Sequence, residues 1–305
     1  MRRCPNPERR PPNSAGFTLV EIAVVIVVLS LLLAMIAGIA TAMVGQQRRE
    51  VTRQKLAGVE TALALFVSQN RRLPCPADGR LTSGDVNAGL ERPVGGANCN
   101  VIGATANSQT HGVVPWRTLG LAESDITDGW GNRLTFRVAP ELVAAESMNL
   151  TNCDPGGTGG LGAGNVCNTL CATTTFPGSC TPPATYTANK GLSIRNLASP
   201  TLIMDPAGVP VSTGAAFVVI SHGENLEGSY NSQGTLQSGT TASGTLESAN
   251  NAVNVAFVAA NSTAAPVLVD DFPSYSEGVG HFDDFVLRPS ILTVATKAQL
   301  GPRAH

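Results

Sequence analysis

The stretch of sequence that decides the fold is Gly16-Phe17-Thr18-Leu19-Val20-Glu21, which opens an apolar run that reaches Val44. Four arginines precede it in a proline-rich segment, so residues 1–16 are typical of a short basic leader held on the cytoplasmic side of a membrane. A secretory signal peptide carries its small-residue cleavage site after the apolar region. Here the glycine comes first, so we expect the apolar helix to survive processing.

The apolar run at residues 17–44 is long enough to cross a bilayer. As a helix rising 1.5 Å per residue it would measure about 42 Å, against about 30 Å for the hydrocarbon core. An ionised carboxylate inside that core costs roughly 2.5–3.5 kcal/mol, so Glu21 should have a partner. The alternative is a plain single-span anchor, in which Glu21 lies near the interface and reaches water.

The junction, the leader and the acidic residue together resemble the prepilin signature of type IV pilins and type II secretion pseudopilins. The resemblance covers residues 1 to about 72. It implies that a prepilin peptidase cuts the Gly16–Phe17 bond and methylates the new amine of Phe17. It also implies that Glu21 pairs with the N-terminal amine of a neighbouring subunit in a filament. The implied partners are other pilin-like subunits, the prepilin peptidase, an inner-membrane assembly platform and membrane lipid.

The remaining sequence indicates one helix followed by one exported head. Apolar residues recur at helical spacing from Val51 to Val67, and Leu73-Pro74-Cys75-Pro76 then stops the helix. We therefore predict an N-terminal helix at 17–72, transmembrane at 17–44, and a globular head at 73–305. Strand-like apolar runs occur at 200–204, 215–221, 253–259, 267–269 and 282–287. The predicted fold class is α+β, a pilin-like layout in which the long helix packs on a mainly antiparallel sheet.

Three stretches of the head are predicted to be irregular: 77–112, the Cys/Gly-rich loop at 149–190, and the polar segment 231–251. Between the first two lies Asp128-Gly129-Trp130-Gly131-Asn132, which leads into an alternating strand and resembles the Asp-x-Trp-Gly-Asn stretch of pseudopilin heads. We interpret Trp116 and Trp130 as core anchors that serve the fold and not the chemistry.

Six cysteines remain once the leader, with its Cys4, is removed. An even number in an exported region indicates disulfides. Cys75 and Cys99 flank one long loop and are expected to pair with each other. For the other four, three pairings are possible and the sequence does not choose among them. Zinc is the rival interpretation, but these four lack the C-x2-C spacing of common structural sites. They are Cys153, Cys167, Cys171 and Cys180.

The net charge of −2 conceals an asymmetry along the chain. Residues 46–72 carry six basic and two acidic side chains, a net charge of +4. Residues 73–305 carry 10 basic and 18 acidic side chains, a net charge of −8. Because Lys and Arg supply most nonspecific affinity for phosphates, an acidic head is a poor nucleic-acid binder. We therefore expect no nucleic-acid partner.

Two groups of polar residues invite a catalytic or metal-binding interpretation. Ser221 and His222 are adjacent at the end of a strand, where neighbouring side chains point to opposite faces and cannot form a nucleophile–base pair. Paired carboxylates separated by a short loop offer oxygen ligands for calcium, and major pseudopilins, which the chain resembles, hold calcium in a C-terminal loop. Those carboxylates are Asp270, Asp271, Asp283 and Asp284. Solvated or strand-end carboxylates are the simpler interpretation, and we expect no other cofactor.

The sequence thus favours a non-enzymatic, minor subunit of a type II secretion pseudopilus or a type IV pilus, assembled through its N-terminal helix. It would reside in the bacterial inner membrane as a single-pass protein, with its head in the periplasm or in an extracellular filament. A minor type IV pilin that acts in adhesion or DNA uptake is the alternative within the class. A membrane-anchored periplasmic enzyme is the alternative from another class.

Overall fold

The computed structural model describes residues 18–92, 99, 109–168, 171, 180–196, 202–207, 214–238, 247–251, 268–275 and 281–305. The chain divides into two compact units, Met1–Gln47 and Arg48–His305. The processing residues Gly16 and Phe17 and the expected strand at 253–259 lie outside the described residues.

Helix α1 runs from Leu19 to Asn70. It ends two residues before the predicted limit because Arg71 adopts a positive φ of 53°, a left-handed conformation that terminates helices. Leu73 and Pro74 follow and prevent the helix from resuming. In the first unit the helix is apolar on all sides, which is typical of a membrane span or of a helix buried among other subunits.

The head is built around a five-stranded antiparallel sheet in the order β1-β2-β4-β7-β10. Its strands are β1 (Ala77–Asp78), β2 (Gly112–Val113), β4 (Thr135–Val138), β7 (Phe217–Ser221) and β10 (Phe285–Leu287). Two smaller sheets accompany it, with orders β3-β8 and β6-β5-β9. Their strands are β3 (Asn132–Arg133), β8 (Tyr230–Asn231), β5 (Ile194–Arg195), β6 (Leu202–Met204) and β9 (Leu268–Val269). Only the β5–β9 pairing is parallel among the described strands, so the mainly antiparallel α+β fold predicted from the sequence is confirmed.

The central strand β7 is buried along its whole length because both faces of the sheet are covered. On one face, Phe217 and Val219 belong to the main hydrophobic core, which also contains Leu56, Val59 and Leu63 of α1. On the other face, Val218 and Ile220 pack in a second cluster formed with the β6-β5-β9 sheet. Alternate side chains of β7 thus pack in two separate hydrophobic cores, one on each face of the sheet.

Leu63 provides a direct test of helix docking within the head. Its side chain is fully buried, whereas Leu65 on the same helix is 60% exposed. We expect Leu63→Ala to lower the free energy of unfolding by about 2–5 kcal/mol, because it removes apolar contacts and leaves a cavity. Leu65→Ala is the matched control and should change it by less than about 0.5 kcal/mol. Urea unfolding of the full chain in detergent, followed by tryptophan fluorescence, measures both; equal losses would contradict the docking.

The structure corrects several details of the sequence interpretation. The segment 77–112 begins and ends in paired strands, since Ala77 and Asp78 of β1 pair with residues of β2. The segment 149–190 contains helix α2 (Pro183–Thr187) and contributes buried side chains, including Tyr186, to the main core. Its disulfide cysteines and its aromatic ring supply the apolar surface that its glycines lack.

Two further corrections concern aromatic anchors and the C-terminus. Trp116 is buried in the main core as predicted, but Trp130 is only partly buried and packs beside Phe285, with ring centroids 5.9 Å apart. The last strand is shorter than expected. Helix α3 (Ile291–Lys297) follows it, with Ser290 capping its N-terminus by accepting from the Thr293 amide. This helix was not predicted because its apolar residues are too few to establish a period.

Candidate functional site

The N-terminal end of α1 carries the residue expected to direct assembly. The Glu21 carboxylate accepts hydrogen bonds from the backbone N–H of Thr18 at 2.8 Å and from the Thr18 hydroxyl at 3.0 Å. The Glu21 amide in turn donates to the Thr18 hydroxyl at 3.3 Å. This reciprocal arrangement is a capping box, and it satisfies helix amides that would otherwise lack partners. Glu21 is exposed, so a second partner can still approach its carboxylate.

The helix that follows presents a continuous apolar surface. Every large apolar side chain from Leu19 to Val44 is exposed, the least at 48% and the most at 85%. Among the described residues, α1 is long and apolar enough to cross a membrane. The mean hydropathy of its most apolar window is 3.1. Such a surface is stable only in lipid or against other apolar helices.

The Asp128–Asn132 turn, noted for its likeness to pseudopilin heads, holds the second unit's part of α1. The Gly129 amide donates to the Thr52 hydroxyl at 3.0 Å, and that hydroxyl donates to the Arg48 carbonyl at 2.9 Å. A Cβ on Gly129 would lie 2.3 Å from the Arg48 carbonyl oxygen, so only glycine fits there. The turn therefore positions the helix.

Asp128 stabilises this turn from inside. Its carboxylate accepts from the backbone amides of Trp130 at 3.0 Å and Asn132 at 2.9 Å, and from the Ser221 hydroxyl at 2.7 Å. Burial raises the pKa of Asp128, while these hydrogen bonds act in the opposite direction.

Ser221 and His222 bind different partners rather than each other. The Ser221 hydroxyl donates to Asp128, whereas His222 Nε2 lies 2.8 Å from the hydroxyl oxygen of Thr135. Both residues are buried, and burial lowers the pKa of His222 to about 3. A neutral, enclosed imidazole with no contact to the serine is not arranged to activate it. Ser221 thus links β7 to the Asp128–Asn132 turn, and His222 links the end of β7 to β4.

All six head cysteines form disulfides in the structure: Cys75–Cys99, Cys153–Cys167 and Cys171–Cys180. Their Cα atoms are 5.1, 5.1 and 4.7 Å apart, within the usual range for a bridge. The two sulfurs of Cys171 and Cys180 lie near Asp154 in a group that could hold a metal. Because those sulfurs are bonded to each other, they are not available as thiolate ligands.

The structure does not bring the four candidate calcium aspartates together. Asp270 forms an ion pair with Arg288, and Asp271 accepts from the Phe272 amide at 2.7 Å. Asp283 instead joins Glu247 and His281 in a group whose ligand atoms lie within 4.8 Å of one another. Asp284 is next to this group and accepts from the Asn250 side chain at 2.8 Å. Calcium prefers six to eight oxygen ligands, so an imidazole-containing group does not fit it.

The group formed by Glu247, His281 and Asp283, called here the Glu–His–Asp cluster, is held by several backbone contacts. Glu247 Oε1 accepts from the Asp283 amide at 2.7 Å, and Glu247 Oε2 accepts from the Asn225 side chain at 2.6 Å. Asp283 Oδ2 accepts from the amides of Glu224 at 2.6 Å and Asn225 at 3.0 Å. Burial, and then the Asp283 carboxylate, raise the pKa of Glu247 to about 7.

The comparison with known families concerns the N-terminal segment. Residues 11–37 match the family model described as the prokaryotic N-terminal methylation motif. This is the prepilin-type signature of type IV pilins and pseudopilins, and the chain carries it. The signature supports a type IV pilin or pseudopilin subunit that is processed by a prepilin peptidase and assembles with similar subunits. Together with the long apolar helix, it fits a single-pass membrane-anchored protein.

The match includes the expected processing residues Gly16 and Phe17 and the expected assembly residue Glu21. No curated protein and no solved structure matches the chain. The head must therefore be interpreted from its own geometry.

Sequence reasoning missed two features of these sites. The capping box could have been found from the Thr18-x-x-Glu21 spacing alone, since Thr followed three residues later by Glu is its signature. The association of Glu247 with His281 gave no local signal, because 33 residues separate them and none of the known metal-binding spacings applies.

Proposed function

We propose that this chain is a minor structural subunit, without enzymatic activity, of a type II secretion pseudopilus or a type IV pilus. The observation that carries the proposal is the prepilin-type motif at 11–37, which continues into an apolar helix surface exposed along its whole length. Apolar helices of several subunits would pack against one another, because the apolar side chains of this helix surface are exposed.

In this proposal Glu21 sets the register of the helices. An unpaired carboxylate at membrane depth is costly, and the N-terminal amine of a neighbouring subunit is a partner of opposite charge. The capping box leaves Glu21 exposed to such a partner. Only one register brings amine and carboxylate together, so correct insertion of a subunit would be favoured over a displaced one.

The size of the head supports a minor or tip-proximal position. Residues 73–305 follow the helix region, and this bulk suits a few positions in a filament better than the repeated packing of a shaft. The proposed location is the inner membrane, with the head in the periplasm or in an extracellular filament, and the inner-membrane assembly platform is a proposed partner. The separate engagements of Ser221 and His222 support a role without catalysis.

A minor type IV pilin active in adhesion or DNA uptake is the second candidate. The acidic head, with a net charge of −8 over 73–305, disfavours direct binding of DNA by that head. Deletion of the gene separates the two systems: loss of secreted enzymes from the medium supports a pseudopilus, whereas loss of surface filaments supports a pilus. A membrane-anchored enzyme would instead be indicated if the purified full chain turned over substrates in a panel of esters, peptides and glycosides.

The mature protein should begin at Phe17, because the glycine precedes an apolar helix that is retained. Intact-mass analysis of the protein extracted from membranes should show loss of residues 1–16 and addition of one methyl group. Gly16→Trp is the matched variant and should leave the leader in place, since a bulky residue does not fit a small-residue cleavage site. An N-terminus at Met1, or one after Val44, would contradict the proposed function.

A further inference from the structure

The Glu–His–Asp cluster gathers ligands from separate parts of the head. Glu247 begins the short 3-10 helix Glu247–Asn250, while His281 and Asp283 lie just before β10. One ligand atom from each residue lies within 4.8 Å of the others. His281 Nε2 is 3.8 Å from Asp283 Oδ2, too far for a hydrogen bond but close enough for both atoms to bind one ion after a small shift.

Two atoms of the cluster lack the partners that buried polar groups normally have. The side chain of Asp283 is 3% exposed, yet its Oδ1 accepts no hydrogen bond from the described residues. His281 Nε2 is also enclosed and likewise has no hydrogen-bond partner there. Leaving such groups unsatisfied is costly, and one ion bound by His281 Nε2 and by both oxygens of the Asp283 carboxylate would satisfy both atoms at once. The orphan carboxylate oxygen is an indication of a ligand that is independent of the clustering of acids.

The surrounding charge is strongly negative. Asp284 is buried beside the cluster, and the nearby Glu227 also has a buried oxygen without a hydrogen-bond partner among the described residues. Carboxylates enclosed together repel one another, and a divalent cation would offset that repulsion.

The chemistry of the donors indicates which class of cation fits. An imidazole nitrogen with two carboxylates is a ligand set suited to zinc and similar transition metals, whereas calcium and magnesium favour oxygen alone. We propose that Glu247, His281 and Asp283 bind one divalent transition-metal ion, with Zn²⁺ as the representative. This differs from the calcium site that the paired aspartates suggested, because Asp270 and Asp271 have other partners and do not contribute.

The ion would fasten the end of the sheet to two loops. Asp283 already accepts from the amides of Glu224 and Asn225, in the turn after β7, while Glu247 reaches Asn225 from another segment. A metal bound to Glu247, His281 and Asp283 would join these segments through coordinate bonds where the hydrophobic cores do not reach. The proposed role of the ion is therefore structural. This proposal does not depend on whether the chain is a filament subunit.

The experiment uses the full chain in detergent, purified without a histidine tag and stripped with a chelator. Equilibrium dialysis against Zn²⁺, with metal content measured by mass spectrometry, should give one bound ion per chain. Thermal unfolding should shift upward by about 5–10 °C at free Zn²⁺ about one hundred times the dissociation constant. Calcium at the same concentration should produce neither effect.

His281→Ala is the decisive variant because His281 Nε2 makes no hydrogen bond among the described residues, so the substitution removes the proposed ligand atom without breaking a hydrogen bond of that atom. It should weaken Zn²⁺ binding at least tenfold, since even changes outside the ligand set cost about 10–100-fold. His305→Ala and Asp271→Asn are matched controls and should bind as the wild type does. Absence of a stoichiometric ion, or equal binding by His281→Ala, would overturn the proposal, as would calcium binding that Asp271→Asn abolishes.

Discussion

Replacing Glu21 by alanine should leave membrane insertion intact or slightly easier and should sharply reduce co-assembly with other pilin-like subunits. Insertion gains because a carboxylate in the membrane costs roughly 2.5–3.5 kcal/mol. Assembly loses because the neighbour's amine would be left as an unpaired charge in a low-dielectric setting. Such a loss costs about 3–5 kcal/mol, which is about a hundredfold or more in an association constant. Co-purification at equal membrane abundance measures the change.

The capping box makes a sharper version of this experiment possible. Glu21→Gln keeps a side-chain oxygen that can accept from the Thr18 amide, but it has no charge. Thr18→Ala leaves the charge and removes the hydroxyl contact. If the charge sets the register, Glu21→Gln should fail to assemble as Glu21→Ala does, and Thr18→Ala should assemble nearly normally. Undiminished co-assembly of Glu21→Gln would show that the residue serves as a helix cap and not as the register device.

Replacing Glu91 by alanine should lower the free energy of unfolding by about 3–5 kcal/mol, because it breaks a buried ion pair on one side only. The Glu91 carboxylate accepts from Arg72 Nη1 at 2.9 Å, from Arg72 Nη2 at 2.7 Å and from the Cys75 amide at 3.0 Å. The Arg72 and Glu91 side chains are only 11% and 5% exposed. The variant would leave the Arg72 guanidinium without its counter-charge, with only the Leu73 carbonyl at 3.0 Å as acceptor among the described residues, and the Cys75 amide without the Glu91 carboxylate. Urea unfolding of the full chain in detergent measures the loss.

The neighbouring pair provides the control. Arg71 and Glu146 lie 3.0 Å apart, with about half of each side chain exposed. Since exposed ion pairs contribute about 0–1 kcal/mol, Glu146→Ala should have a small effect. The double variant Arg72→Met, Glu91→Leu should recover most of the stability that Glu91→Ala loses, because apolar side chains can replace a buried pair. Comparable losses at Glu91 and Glu146 would show that burial does not strengthen the Arg72 contact.

The features that could be predicted from the sequence are those carried by neighbouring residues. The Gly16–Phe17 junction, Glu21 and the apolar run stand within 29 residues of one another, and they indicated the signature that the family comparison then matched at 11–37. The strand at 217–221 was evident because it is a short apolar run. The burial of this strand on both faces could not be predicted, because the β6-β5-β9 sheet that covers one face comes from distant segments.

The candidate site residues of the head also fall into those that the sequence could predict and those that it could not. Adjacency predicted that Ser221 and His222 would not form a catalytic pair, since strand geometry separates neighbouring side chains. In the structure the two side chains bind different partners. The paired aspartates do not form one group: Asp270 pairs with Arg288. Asp283 lies with Glu247 and His281, and Glu247 comes from another segment. The residues that bind one metal ion can come from loops that are far apart in sequence. Residue spacing cannot predict such a set when the sequence contains no local metal-binding motif.

By itself the sequence indicated an apolar helix long enough to cross a membrane, the prepilin-type signature and the carboxylate of Glu21, because helix formation and membrane partition depend on residues that are close along the chain. It also determined that an α+β head follows. Only the tertiary structure decided how the head is joined: that Glu91 neutralises Arg72, that Gly129 contacts α1, and that Glu247 meets His281. These contacts link residues far apart in sequence, and packing of the whole chain is what brings them within range.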